Sequence, residues 1–326
     1  MNLLQPWSCD EHEVAQARRF NKKLAWLPRF RIRNRLTPFA IQALLRAGQL
    51  GGAAKLARHG LRAERRVVSF DGITVPVRII RPEGKATGIV LDFHGGGWVI
   101  GNAQMNDDLN VAMVKECSVT VVSVDYRLAV STPVEGLMDD CLAAACWLLS
   151  CDSEEFAGLP VIVVGESAGG HLAAATLLSL KTRPHLLRRV IGALLYYGVY
   201  DLTGTASVRA AGPETLVLDG PGMVEAFRML TPDLDDQERR RPPLSPLYGD
   251  FTDFPCALMF VGELDPLRDD TLDMADRWLK AADVEVRLLP ECPHGFIHFP
   301  TLLADKVLAH SREWIKRRIE TSPVRG

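Results

Sequence analysis

"LPVIVVGESAGGHLAAATLL", residues 159–178, opens as a run of small branched apolar residues, turns through glycines around one serine, and continues as a helix-forming stretch. An unbroken apolar strand followed at once by a helix is the repeating step of a parallel sheet covered on both faces. In "GESAG" (165–169) the glycines two places before and after Ser167 leave room for a sharp strand-to-helix turn that a Cβ would obstruct. Such a turn pushes Ser167 out at the carboxyl end of the sheet, with the amides of the next helix behind it.

The same alternation extends in both directions. Apolar strands read at "TGIVLDFHG", "VTVVSVDYR", "VIGALLYYG", "PCALMFVGE" and "VEVRLLPE", and helices at "VEGLMDDCLAAACWLLS", "DDTLDMADRWLKAA" and "TLLADKVLAHSREWIKRRI". The fold class is therefore α/β, with a mostly parallel central sheet and helices on both faces. "ERRVVSFDGITVPVRIIRP" alternates around Asp71-Gly72, which predicts an antiparallel hairpin ahead of the parallel strands. Before it, "DEHEVAQARRFNKKLAWL" and "TPFAIQALLRAGQLGGAAKLARHG" read as helices, the second started by Thr37-Pro38 and broken by glycines. Residues 202–250 break the alternation: they are long, polar and proline-rich, which suits a lid over the functional edge of the sheet.

The chain has 326 residues, 47% of them hydrophobic, enough for a large core, and a formal charge of −2 that argues against a general polyanion binder. That average conceals an asymmetry: residues 17–66 hold fourteen Lys and Arg against one acid, Glu64. A basic segment lying against a more acidic body is the simplest reading, with contact to anionic lipid or a partner protein as the alternatives. "PRFRIRNRL" interleaves aromatic and basic residues, but no nucleic-acid module surrounds it, so no nucleic-acid partner is expected. The N-terminus lacks the basic flank and apolar core of a signal peptide, and no stretch approaches the ~20 apolar residues of a membrane span. A soluble cytoplasmic protein without stable membrane insertion is the default. Seven cysteines without a paired framework suit a reducing compartment; the five-residue spacing of Cys141, Cys146 and Cys151 favours packing over metal binding.

A serine hydroxyl needs a base, and the base an orienting acid. After Ser167 the histidines are His171, His185, His294, His298 and His310. His171 falls one turn into the following helix, His185 in a basic loop and His310 on the terminal helix. His294, in "PECPHGFIHF" directly after a strand, is the candidate base and His298 its alternative. Asp265, just beyond the strand "LMFVGE", is the candidate acid with Glu263 as runner-up, while Asp269 and Asp270 are expected to cap the next helix. "HGGGW" (94–98) follows the strand "IVLDF"; its glycine amides can converge on one oxygen, and no P-loop lysine or dinucleotide spacing accompanies it. Gly96 and Gly97 with the amide of Ala168 are the expected oxyanion hole, Gly95 the alternative donor. Trp98, Glu166, Met223 and Phe227 are candidate substrate contacts, with Met229 a further candidate for the wall. No cofactor or metal is called for.

Together "HGGGW", "DYRLA" (125–129), "GESAGG", "DPLRDD" and "HGF", in that order, resemble the bacterial hormone-sensitive-lipase-like esterases of the α/β-hydrolase fold over roughly residues 65–320. The chain departs from that pattern at Val130-Ser131, where Pro-Glu is common, and at Glu166, where Asp is more frequent. The resemblance implies a cofactor-free carboxylesterase for short to medium acyl esters. It also implies a helical cap made from an N-terminal segment (1–60) and an insertion (202–250), over a core formed by 61–201 and 251–326. An amidase or deacetylase of small acylated compounds is the rival within enzymes, and a non-catalytic ligand receptor the rival outside them. An edge strand near the C-terminal end of the sheet leaves room for a homodimer.

Overall fold

The computed structural model describes residues 7–31, 36–150 and 155–322. Its eight strands are β1 (Ala63–Phe70), β2 (Ile73–Ile80), β3 (Gly88–Phe93), β4 (Val119–Val124), β5 (Val161–Glu166), β6 (Val190–Tyr196), β7 (Cys256–Gly262) and β8 (Val284–Leu289). They form one sheet in the order β1-β2-β4-β3-β5-β6-β7-β8. The first two pairings along this order are antiparallel and the rest parallel, with the β1–β2 hairpin turning through Asp71 and Gly72 at positive φ.

The helices are α1 (Glu11–Leu24), α2 (Leu36–Gly48), α3 (Gly52–Arg58), α4 (Asp107–Cys117), α5 (Val134–Leu149), α6 (Ala168–Leu180), α7 (Pro184–Leu187), α8 (Ala206–Arg209), α9 (Met223–Leu230), α10 (Asp236–Arg239), α11 (Arg268–Trp278) and α12 (Leu302–Glu320). Two cores flank the sheet, one under α5, α6 and α11 and the other under α4 and α12. Successive residues of β5 alternate between them: Val161 and Val163 enter the first, Ile162 and Val164 the second. A central strand must be apolar at every position for this reason. Cys141 and Cys146 pack inside the first core, whereas Cys151 lies outside the described residues. Helix α4 is missing from the sequence reading, although Asn106 followed by two aspartates is a helix-start signal.

Two features shape the upper edge of the sheet, the first against expectation. Asp270 does not cap α11: it is buried and accepts hydrogen bonds from the Tyr200 and Asp201 amides and the Thr205 hydroxyl, at 2.7, 3.0 and 2.6 Å. Asp269 likewise accepts from the Ser207 amide at 2.9 Å. These carboxylates fasten the chain where it leaves β6 for the 202–250 insertion, and burial raises the Asp270 carboxyl to about 7. The second feature lies in the N-terminal segment, which touches the body at several places. α1 lies against α12 and the loop after β8 through Lys306–Glu13 and Arg18–Glu291 ion pairs and a 2.8 Å bond from Asn21 to the Glu291 carbonyl. Phe30 pairs with the insertion by a parallel bridge to Leu218, and α2 sits beside residues 101–104. Among the described residues no helix is long and apolar enough to cross a membrane.

The insertion returns to the sheet over Trp278, which is fully buried, stacks on Phe251, meets Phe254 edge-on and donates to the Pro255 carbonyl at 2.8 Å. Trp278→Ala should cost about 3–5 kcal/mol, read as a lowered urea midpoint. A loss below about 1 kcal/mol would show that this return does not depend on the aromatic cluster.

Candidate active site

Ser167 stands between β5 and α6 at φ 52° and ψ −121°, a conformation a side-chain-bearing residue adopts only under constraint. The flanking glycines supply the constraint. A Cβ on Gly169 would run into the carbonyl oxygens of Phe93 and His94, and one on Gly165 into the Gly169 carbonyl. The Ser167 amide is spent on the Tyr196 carbonyl of the neighbouring strand, at 2.9 Å.

The loop after β8 brings His294 to this corner. Its Nε2 lies 2.9 Å from Ser167 Oγ, and its Nδ1 lies 2.9 Å from Asp265 Oδ2. Asp265 is buried just beyond β7, and its other oxygen accepts from the Leu267 amide at 2.9 Å, which fixes the carboxylate plane. The geometry suits a neutral imidazole with its proton on Nδ1 and a free lone pair toward the serine. The alternatives stand elsewhere. Glu263 is exposed, His310 pairs with Glu285 and His185 is exposed. His171 is buried, which brings its imidazole down to about 4. Its Nε2 faces the Leu244 carbonyl at 2.8 Å, leaving Nδ1 to accept from the Trp98 indole at 3.2 Å.

"HGGGW" forms the loop beside the serine. Gly96 and Gly97 both have positive φ (107° and 57°), a backbone conformation that favours glycine at these two positions. Among the described residues, the amides of Gly96, Gly97 and Ala168 find no acceptor, so they are free to donate to a ligand oxygen. "DYRLA" holds this loop from outside: Tyr126 stacks on His94 and donates to its carbonyl at 2.7 Å, and the Ala129 amide donates to the Trp98 carbonyl at 2.8 Å. The Val130-Ser131 departure follows these contacts without breaking them. Gly101 ends the loop at φ 111°, and Gln42 of α2 clasps it twice, amide to carbonyl and carbonyl to amide, each at 2.8 Å.

Over Ser167 lies a chamber of about 320 Å³ with mostly apolar walls. Trp98, Met223, Phe227 and Met229 line it, joined by Phe30, Leu218 and Leu267. The N-terminal segment and the insertion thus share one wall, fastened by the Phe30 bridge and the Arg31–Asp219 ion pair at 2.9 Å.

Comparison with known proteins agrees with this arrangement. Residues 90–298 match the family described as "alpha/beta hydrolase fold". The carboxylesterase NlhH of Mycobacterium tuberculosis is 33% identical over 253 residues, covering 73% of this chain and 76% of that protein. An arylesterase of Saccharolobus solfataricus is 31% identical over 214 residues, covering 62% and 66% of the two chains. The crystal structure of esterase LipW from Mycobacterium marinum superposes with a TM-score of 0.82 at 26% identity, over 97% of this chain and 98% of that one. The chain belongs to the hormone-sensitive-lipase-like esterases of the α/β-hydrolase fold.

One expected substrate contact of this esterase is corrected by the geometry. Glu166 does not line the chamber; its carboxylate is buried behind the serine, 2.9 Å from the Tyr197 hydroxyl and 2.7 Å from His298 Nε2. Alternation along β5 puts Glu166 on the same face as Val164, the α4/α12 side of the sheet, away from the chamber. Burial alone would raise the Glu166 carboxyl, but His298 and the Tyr197 hydroxyl bring it down to about 2. His298 is in turn raised above its ordinary value: burial disfavours its charge, and Glu166, helped by Asp108 and Asp92, outweighs that. Tyr197 also packs edge-on against His294, with ring centroids 4.7 Å apart. His298 and Tyr197 are therefore positioning residues. Neither "HGFIHF" nor "LLYYG" reveals this role without knowing that the two loops meet. Gln42, flanked by the apolar residues Ile41 and Ala43, is the signal in the sequence that points to its clasp on Gly101.

The ion pair has a definite pH window. The Glu166 contribution is present above the ordinary carboxylate range and lost as pH falls toward about 2. The His298 contribution is present below its ordinary 6.5 and lost as pH rises through its raised value. His298→Gln should destabilise by roughly 1–2 kcal/mol near pH 5.5, allowing for the partly exposed imidazole, and the deficit should shrink in alkaline buffer. Denaturant titrations at both pH values check this; a pH-independent deficit would exclude the charge pairing.

Proposed function

We propose that this esterase hydrolyses carboxylic esters of short to medium acyl chain through a Ser167–His294–Asp265 triad and an acyl-enzyme. The observation that carries the reading is the unbroken Ser167–His294–Asp265 chain, 2.9 Å at each step. His294 Nε2 takes the hydroxyl proton as Ser167 Oγ attacks the ester carbonyl, and Asp265 stabilises the imidazolium that results. The amides of Gly96, Gly97 and Ala168 receive the negative oxygen, each such donor lowering the barrier by about 3 kcal/mol. The imidazolium then gives its proton to the departing alcohol. A water deprotonated by His294 cleaves the acyl-enzyme and restores Ser167.

The chamber supports the acyl-length reading. Its 320 Å³ sits near the lower end of the roughly 300–1,000 Å³ of small-molecule pockets. Apolar walls from Trp98, Met223 and Phe227 suit a hydrocarbon chain. The described cysteines, Cys9, Cys117, Cys141, Cys146, Cys256 and Cys292, are free thiols, which favours a reducing, cytoplasmic setting.

Hydrolysis of p-nitrophenyl esters from acetyl to palmitoyl, with Ser167→Ala in parallel, tests both parts. Turnover should peak at short or medium chains and fall at least ~10⁴-fold in Ser167→Ala, with the circular dichroism unchanged. Full activity in the variant would remove Ser167 as nucleophile, and a maximum at palmitoyl would overturn the acyl-length reading.

A further inference from the structure

Helix α2 exposes an apolar stripe. Its residues Phe39, Ala40, Ala43, Leu44 and Ala47 are all exposed, Phe39 at 56% and Leu44 at 74%, and Leu50 just beyond it is exposed at 82%. At 100° per residue these positions fall on one arc of the helix, so the apolar stripe faces outward. The inner side carries buried Pro38 and half-buried Ile41 and Leu45, and polar groups fasten it. Gln42 clasps Gly101, and Gln49 exchanges two hydrogen bonds with Asn102 at 3.0 and 2.7 Å. Surface helices ordinarily bury the stripe and expose the amides. At the end of α1, Trp26 and Leu27 are also exposed, at 89% and 57%, four and three residues before Phe30 of the chamber wall. Exposed apolar side chains grouped along one helix face mark an interaction site.

Charge says what the stripe meets. Residues 17–66 carry fourteen cationic side chains and one acid. Arg19, Lys22, Lys23, Arg46 and Arg58 have no ion-pair partner among the described residues, and Arg46 lies on α2 itself. A two-fold pairing of α2 with a second copy would bring the same basic segment against itself. An anionic lipid surface instead accepts exposed Trp, Phe and Leu at its interface and cations beside its headgroups. We propose that α2 and the end of α1 seat this protein on anionic membrane surfaces, with the chamber wall beside the contact. Seating is a peripheral association, and it stands independently of the catalytic reading because its readout is partitioning.

Sedimentation of the full chain with vesicles tests it, comparing phosphatidylcholine alone with phosphatidylcholine containing phosphatidylglycerol. Binding is expected only to the anionic vesicles, weakened by salt, and at least ~10-fold weaker in Phe39→Ser/Leu44→Ser, whose p-nitrophenyl acetate turnover stays at the wild-type level. Arg46→Glu should weaken binding without altering either fold or turnover. Failure to bind anionic vesicles, or equal uptake by neutral ones, overturns the proposal. Self-association at sedimentation equilibrium that the double variant abolishes also overturns it, by making the stripe a contact between copies.

Discussion

Two carbonyl groups set the geometry of the site. The Phe93 and Gly169 oxygens occupy the space that Cβ atoms on Gly169 and Gly165 would take, so β5 and α6 meet more closely than side chains allow. Ser167 is squeezed into φ 52° at that junction and projects above the sheet. Everything else is arranged around the resulting point. The 94–98 loop begins at the end of β3, beside β5 in the sheet; Asp265 follows β7 and His294 follows β8. Parallel strands deliver all of these to one edge because their carboxyl ends lie on one side.

Beneath this edge the sheet carries buried polar groups that the chemistry itself does not use. Asp92 accepts hydrogen bonds from Asn106, Asn110 and Ser123, and its carboxyl is raised by burial despite them. Glu166, close by, is held as an anion by His298 and Tyr197. Two carboxyls so near each other adopt opposite tendencies because one has a cationic neighbour and the other only neutral donors. Such networks fix orientation at the cost of desolvation, and here they fix the ground under the nucleophile and the ring against which His294 packs.

The sheet and its flanking helices were legible because each strand is apolar throughout and each helix follows at a short interval. Ser167, Asp265 and His294 were legible as candidates because each follows a strand end, where a one-dimensional reading still knows the address. Glu166 was misplaced for a related reason: adjacency to Ser167 in sequence puts it on the other face of a strand. Asp269 and Asp270 looked like caps, yet the start of the insertion takes their oxygens; only the packing of α11 beside residues 200–207 reveals that preference. The chamber wall was half visible, since Met223 and Phe227 belong to an amphipathic helix, whereas the Phe30–Leu218 bridge joins stretches far apart in the chain.

The Gln42–Gly101 clasp, unlike the ion pairs of the N-terminal segment, carries no charge. Lys306–Glu13, Arg18–Glu291 and Arg31–Asp219 all weaken as ions crowd the solvent, because screening acts on net charge. A carboxamide paired to a peptide group has nothing to screen and nothing to titrate. In concentrated salt or across a wide acid–base range, the helix beside the 94–98 loop therefore keeps its grip while its neighbours loosen theirs. Gln42–Gly101, Gln49–Asn102 and the Phe30–Leu218 bridge are thus fixed tethers among adjustable ones, and the first ends at the backbone of the loop beside Ser167.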